Sequence, residues 1–190
     1  MKKLLIALPL ILLAACAQQT VAPMVVDQQQ HQKQLAELHH WLLEGKIAVR
    51  HADQSDSATV RWQQDDERFD VFLSGPLGAG ATRLIGTPHT LMIANHNGQH
   101  ATNDDPQALL EQQLGWYLPI EQLPHWIIGE SNHAPAAYHA NHTLKQIDQH
   151  DWHITYPSYQ TVGDQVLPEK ILLEHEDLRV TIVIKRWEIH

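Results

Sequence analysis

The chain has 190 residues, 43% of them apolar, with 22 acidic against 13 basic side chains and a formal charge of -9. That length suits one domain once processed segments are set aside, and the apolar content is enough for a packed core. The acidic balance argues against a nucleic-acid partner and against gripping an anionic membrane surface through basic residues. A single Cys excludes an intrachain disulfide.

Residues 1–15 read as a signal peptide. Lys2-Lys3 is a short basic segment, and residues 4–13 are apolar apart from Pro9. The run is far shorter than the roughly 20 residues of a spanning helix. Leu13-Ala14-Ala15-Cys16 resembles a bacterial lipobox. That resemblance implies cleavage before Cys16, then a thioether-linked diacylglycerol and an N-acyl chain on it. Ala17 stands where lipoproteins retained at the inner membrane usually carry Asp, which implies export to the outer membrane. Residues 16–30 are polar, Gln-rich and aperiodic, and are expected to be the lipidated Cys and a flexible tether. Residues 31–190 then form the single domain.

Leu35, Leu38 and Leu42, with Trp41 beside them, have helical spacing, so a helix is expected over 32–43 with Gly45 as its C-cap. From Gly45 the period becomes two. Ile47 and Val49 mark one strand, and residues 53–57 a polar turn. Ala58, Val60 and Trp62 mark the next, and Phe69, Val71 and Leu73 a third. Gly75-Pro76 stops that strand and leaves Leu77 bare at the tip of a Gly-rich turn, which normally carries polar residues. Leu77 either folds back onto the core or is displayed to something apolar. Strand-like patterns follow at 81–85, 90–94 and near 99–101. Asp104-Asp105-Pro106 starts a helix with Leu109, Leu110 and Leu114 on its apolar face and Gly115 at its end. A second short helix falls within 121–128, closed by Gly129, with Pro124 confined to its first turn. Residues 131–142 look like a His-rich loop. Strands return at 144–147, 152–156 and 170–174. Leu178, Val180, Ile182 and Ile184 then give the cleanest alternation of all, which Trp187 and Ile189 continue.

The expected fold class is mainly β with helices: a long antiparallel sheet of about 11 strands whose apolar face the helices must cover. An incomplete cover would leave an apolar cavity of the kind that binds lipid. Trp62, Trp126, Trp152 and Trp187 fall on apolar faces and could fill the core or line such a cavity, as could Val71, Leu73, Val180 and Ile182.

Catalytic chemistry is hard to find. The 15 His residues form no His-Glu-x-x-His or Cys/His zinc pattern. No Gly-x-Ser-x-Gly elbow is present. The stretch 75–80 lacks the Lys-Ser/Thr of a phosphate loop. No metal, cofactor or enzymatic activity is expected.

Taken in order, several pieces resemble the LolB family. They are the lipobox ending in Cys16, Trp62-Gln63-Gln64, Gly75-Pro76-Leu77-Gly78, Leu114-Gly115, Leu118-Pro119 and Leu123. Trp126-Ile127-Ile128-Gly129, Trp152 with Tyr156 and Tyr159, and Leu167-Pro168 before a final strand to Trp187 complete the series. The resemblance implies an incomplete, strongly curved antiparallel barrel with helices over an apolar cavity. It implies an outer-membrane lipoprotein facing the periplasm, monomeric and non-catalytic. Such a protein accepts triacylated lipoproteins from the periplasmic carrier LolA and inserts them into the outer membrane. It also implies that Leu77 is the displayed residue, touching membrane during insertion. Glu130-Ser131, Pro124 and the His-rich loop depart from the family pattern. A lipid-anchored assembly or scaffold protein with a filled core is the alternative from another class, and a His-dependent metal or hydrolytic lipoprotein a third.

Overall fold

The computed structural model describes residues 25–52, 54–75, 80–98, 100–103, 105–114 and 117–190. The expectations for the signal peptide, Cys16 and Leu77 lie outside them, as do those for Asp104 and Gly115 at the ends of the first inner helix. The elements run α1 (Gln28–Ala36), β1 (His40–His51), β2 (Gln54–Asp65), β3 (Arg68–Ser74), β4 (Thr82–Thr87), β5 (Thr90–Asn95) and β6 (His100–Asn103). After them come α2 (Pro106–Leu114), α3 (Leu123–Ile128), β7 (Ala136–Tyr138), β8 (Leu144–Gln149), β9 (Trp152–Val162), β10 (Gln165–His175) and β11 (Leu178–Ile189). The strands form one antiparallel sheet in the order β6-β5-β4-β3-β2-β1-β11-β10-β9-β8-β7. Chain neighbours are therefore sheet neighbours, and β1 joins β11 at the centre. The sheet curls but stays open, with β6 and β7 at its two edges.

The N-terminal reading needs correction. α1 begins at Gln28, inside the stretch read as tether, because the Asp27 side chain accepts a hydrogen bond from the Gln30 N–H at 2.8 Å and caps it. It ends at Ala36, and residues 40–51 are a strand. Trp41, Leu42 and Leu43 are all buried, and His40–His51 pairs with β2 on one side and β11 on the other. Those two ladders override the helical spacing of Leu35, Leu38 and Leu42. Gly45 caps nothing. A Cβ there would lie 2.2 Å from the Val183 carbonyl oxygen, so only Gly lets β1 and β11 approach at the bulge where their register shifts. β2 also begins at Gln54, within the stretch read as a turn, and the His-rich loop contains the short β7.

The helices follow their caps. Pro106 opens α2, and Asp105 accepts from the Ala108 N–H at 3.0 Å. Pro124 sits in the first turn of α3, where its missing N–H costs no helical bond. Gly129 ends α3 in the left-handed conformation (φ 79°), and its N–H bonds back into the last turn.

Candidate functional site: an apolar chamber under the curled sheet

Strand alternation puts Leu43, Ile47 and Val49 of β1 on the concave face, with Val60 and Trp62 of β2 and Phe69, Val71 and Leu73 of β3 beside them. Leu84 of β4 and Ile93 of β5 extend the face, and Val180 and Ile182 of β11 close its far side. Leu110 from α2 and Leu118, Ile120, Leu123 and Ile127 from the α2–α3 segment face this wall. The helices do not fill the concavity. A cavity of about 780 Å³ remains between them and the sheet, within the range of about 300–1,000 Å³ typical of ligand sites. Its lining is apolar except for Thr82, Asn95 and Gln113, and no charged side chain lines it among the described residues. Thr82 and Asn95 are direct cross-strand partners at one end of β4 and β5, so the polar atoms gather at that end. A site of this kind offers chiefly apolar burial. It suits an apolar chain, each methylene of which gains about 0.8 kcal/mol on leaving water.

The residues singled out from the sequence divide here. Trp62, Val71, Leu73, Val180 and Ile182 stand on the chamber wall. Trp126, Trp152 and Trp187 do not, and of the two alternatives open for them they take core filling. Trp126 packs 5.9 Å from Trp152, ring centre to ring centre, and donates its indole N–H to Gln149 at 2.8 Å. Trp152 stacks on His175 at 5.1 Å. Trp187 packs edge-on against Trp41 at 5.5 Å and donates to the Pro168 carbonyl at 2.9 Å. All three are consumed by neighbours. Trp62 is held differently. Its indole N–H donates to Gln64, whose amide donates to the Asp66 carbonyl, and this fixes the ring with one face on Trp41 and another on the chamber. The contribution of Leu118 and Ile120, in a stretch without alternation, was not visible in the sequence.

Buried polar groups support the frame. The Tyr156 hydroxyl donates to the Trp126 carbonyl at 3.0 Å and the Tyr159 hydroxyl to the Leu144 carbonyl at 2.8 Å. Burial pushes both phenols above their ordinary range. His31 of α1 shares a 2.8 Å hydrogen bond with the Val166 carbonyl, and burial holds its imidazole below its ordinary pKa against the opposing effect of that bond. His40, Asp65 and Asp66 bring one potential ligand atom each within 4.8 Å of the others. All three are exposed, and the His40 Nδ1 already meets Asp65 at 2.6 Å. The arrangement reads as an exposed hydrogen-bonded pair at a hairpin end.

A curled, open antiparallel sheet with helices lidding an apolar chamber defines a class of folds. A LolA superfamily protein from Nitrosomonas europaea superposes with a TM-score of 0.57 over 87% of this chain and 94% of its own, at 9% identity. A putative outer membrane lipoprotein-sorting protein domain from Vibrio parahaemolyticus gives 0.53 over 86% and 94%, at 6% identity. The class is therefore the LolA-superfamily fold. Sequence narrows it further. The family described as outer membrane lipoprotein LolB matches residues 39–187. The outer-membrane lipoprotein LolB of Stutzerimonas stutzeri is 36% identical over 84% of this chain and 79% of its own. That of Pseudomonas putida is 38% identical over 83% and 78%, and that of Pseudomonas syringae 37% over 84% and 79%. The chain belongs to the LolB family.

Proposed function

We propose that this protein is the outer-membrane receptor for lipoproteins travelling through the periplasm. It takes a triacylated lipoprotein from a LolA-type carrier, buries acyl chain in the chamber, and releases it into the outer membrane, to which its own lipid on Cys16 tethers it. The carrying observation is the uncharged apolar chamber of about 780 Å³, in a chain whose sequence otherwise offers no catalytic set. A triacyl chain set exposed to water costs tens of kcal/mol, at about 0.8 kcal/mol per methylene. Passing between two apolar chambers removes that cost without ATP. A few kcal/mol of differential affinity gives the transfer its direction.

Leu77 has the separate role of contacting membrane during release. It follows Gly75-Pro76 in the connection between β3 and β4, and the two strands that carry this connection line the chamber. The test is a pull-down with the chain from residue 16 onward carrying Cys16→Ser. Mixed with a carrier loaded with triacylated lipoprotein, it is expected to end holding the cargo. Cargo left on a competent carrier would contradict the receptor reading. Leu77→Glu is expected to fold and accept cargo normally but to fail in delivering it to membranes. Normal delivery would remove Leu77 from the account.

A further inference from the structure

The formal charge of -9 conceals a segregation. On the three central strands the inward residues are mostly apolar, with Asp56 at the exposed end of β2 and Gln64 among the exceptions, and the intervening ones point outward from the convex side. Those outward residues include Lys46 and Arg50 of β1, Arg61 of β2, and Arg179, Lys185 and Arg186 of β11, all exposed. They are six of the chain's 13 Lys and Arg. Outward acids on the same strands are Glu44, Asp65 and Glu188, so this face is net positive in an acidic molecule. The register gathers the charge. Arg50 lies beside Arg179, and Glu44 lies between Arg61 and Arg186. The bulge opposite Gly45 inserts Lys185 next to Arg186, giving two consecutive exposed cations where regular alternation would give one.

Part of the charge is already matched. Glu44 sits 3.7 Å from Arg61 and 3.5 Å from Arg186, and Arg179 meets Glu174 of β10 at 2.6 Å. Lys46, Arg50 and Lys185 make no ion pair among the described residues. Phe72 of β3, cross-strand partner of Arg61, is 41% exposed on the same side, and it is the most exposed Phe or Trp among the described residues. Cations interleaved with an exposed aromatic ring suit the headgroup layer of a bilayer.

We propose that this convex face of β2, β1 and β11 rests on anionic phospholipid headgroups. The observations favour a lipid surface because of where the chain is tied. Nine chain steps lead from Cys16 to Val25, where the described body begins. At about 3.3–3.6 Å each they reach only about 30 Å. For nearness to membrane the inference rests on the lipid-anchored reading above. An anchored body is thus always near the surface, and weak attraction suffices to orient it. Oriented this way, the face adds a second contact beside the acyl anchor, and the net charge alone would have excluded it.

The test uses the chain from residue 16 onward with Cys16→Ser, which keeps every described contact and needs no cargo. It is sedimented with vesicles of phosphatidylcholine alone or of phosphatidylcholine mixed with phosphatidylglycerol. Binding is expected only to the anionic vesicles at low salt, falling as salt rises. Each neutralised cation should lower partition about fivefold. The triple variant Lys46→Gln/Arg50→Gln/Lys185→Gln should therefore bind about a hundredfold more weakly at an unchanged melting temperature. Lys145→Gln, on β8 away from this face, should bind as the parent does. If the triple variant melts early, Lys185→Gln alone carries the comparison. No binding to anionic vesicles overturns the proposal. So does a triple variant that binds vesicles normally, or a Lys145 variant that loses as much as a single variant on the face. A triple variant with normal vesicle binding but impaired cargo uptake assigns the face to an acidic protein partner. Vesicle partition is measured without carrier or cargo, so its failure leaves the receptor reading intact.

Discussion

The two halves of the sheet carry the same inward apolar pattern and come to opposite ends. Toward β7–β10, helix α3 lies on the concave face and its Trp126, Ile127 and Ile128 are buried. Trp152, Ile154 and Tyr156 join them in the buried core, and of the three α3 residues Ile127 alone also borders the chamber. Toward β2–β5, α2 packs at the β5–β6 edge and leaves the concavity between them unfilled, so Val71, Leu73 and Leu84 face the chamber only partly buried. Alternation therefore specifies which face turns inward. What covers that face, and how closely, is set by where helices interrupt the strand order. One half behaves as core and the other as a container.

The sharpest contrast is between truncations in the two halves. Trp126→Ala opens a hole in close-packed surroundings and strands the Gln149 side chain, and should cost about 3–5 kcal/mol in urea unfolding. Leu73→Ala only enlarges an existing void and should cost about 1 kcal/mol. Equal costs would mean that the chamber is not open in solution. Next comes the seam between the halves. Gly45→Ala drives a Cβ toward the Val183 carbonyl oxygen and should cost about 1–3 kcal/mol. A neutral result would show that β1 and β11 can part at the bulge.

A smaller, pH-dependent effect belongs to the sealed half, where α1 docks through His31. The folded state holds this imidazole below the unfolded pKa near 6.5. Its stabilising contribution is thus complete above about pH 6.5. It is lost as the pH falls toward the folded value, at a slope of no more than about 1.4 kcal/mol per pH unit. His31→Gln should flatten melting temperature against pH below about 6.5. An unchanged profile would place the acid sensitivity elsewhere.

Much of this was legible in the sequence. The inward set of β3 and the long alternation of β11 needed only their period, and Pro124 with Gly129 delimited α3. The α1–β1 boundary was not legible. Leu35 and Leu38 precede Trp41, Leu42 and Leu43 at helical intervals, and only pairing with β2 and β11, distant in sequence, makes residues 40–51 a strand. β7 is three residues long, too short to show a period. The Trp residues were legible as buried but not as filled or lining. Trp62 stands on strand β2 and Trp126 on helix α3, and what separates them is the space beside the ring: Trp126 packs on Trp152 and Gln149, whereas Trp62 borders the chamber.

Trp62 also offers the most direct test of the chamber. It is the Trp on the chamber wall among the described residues, whereas Trp126 and Trp152 are sealed in the other half. Titrating the Cys16→Ser chain with a fatty acid brominated along its chain reads contact between acyl chain and indole as fluorescence quenching. The account predicts saturable quenching that Trp62→Phe largely abolishes and Trp126→Phe leaves in place. Quenching that survives Trp62→Phe, or none with the protein folded, would contradict an acyl chain held in this chamber.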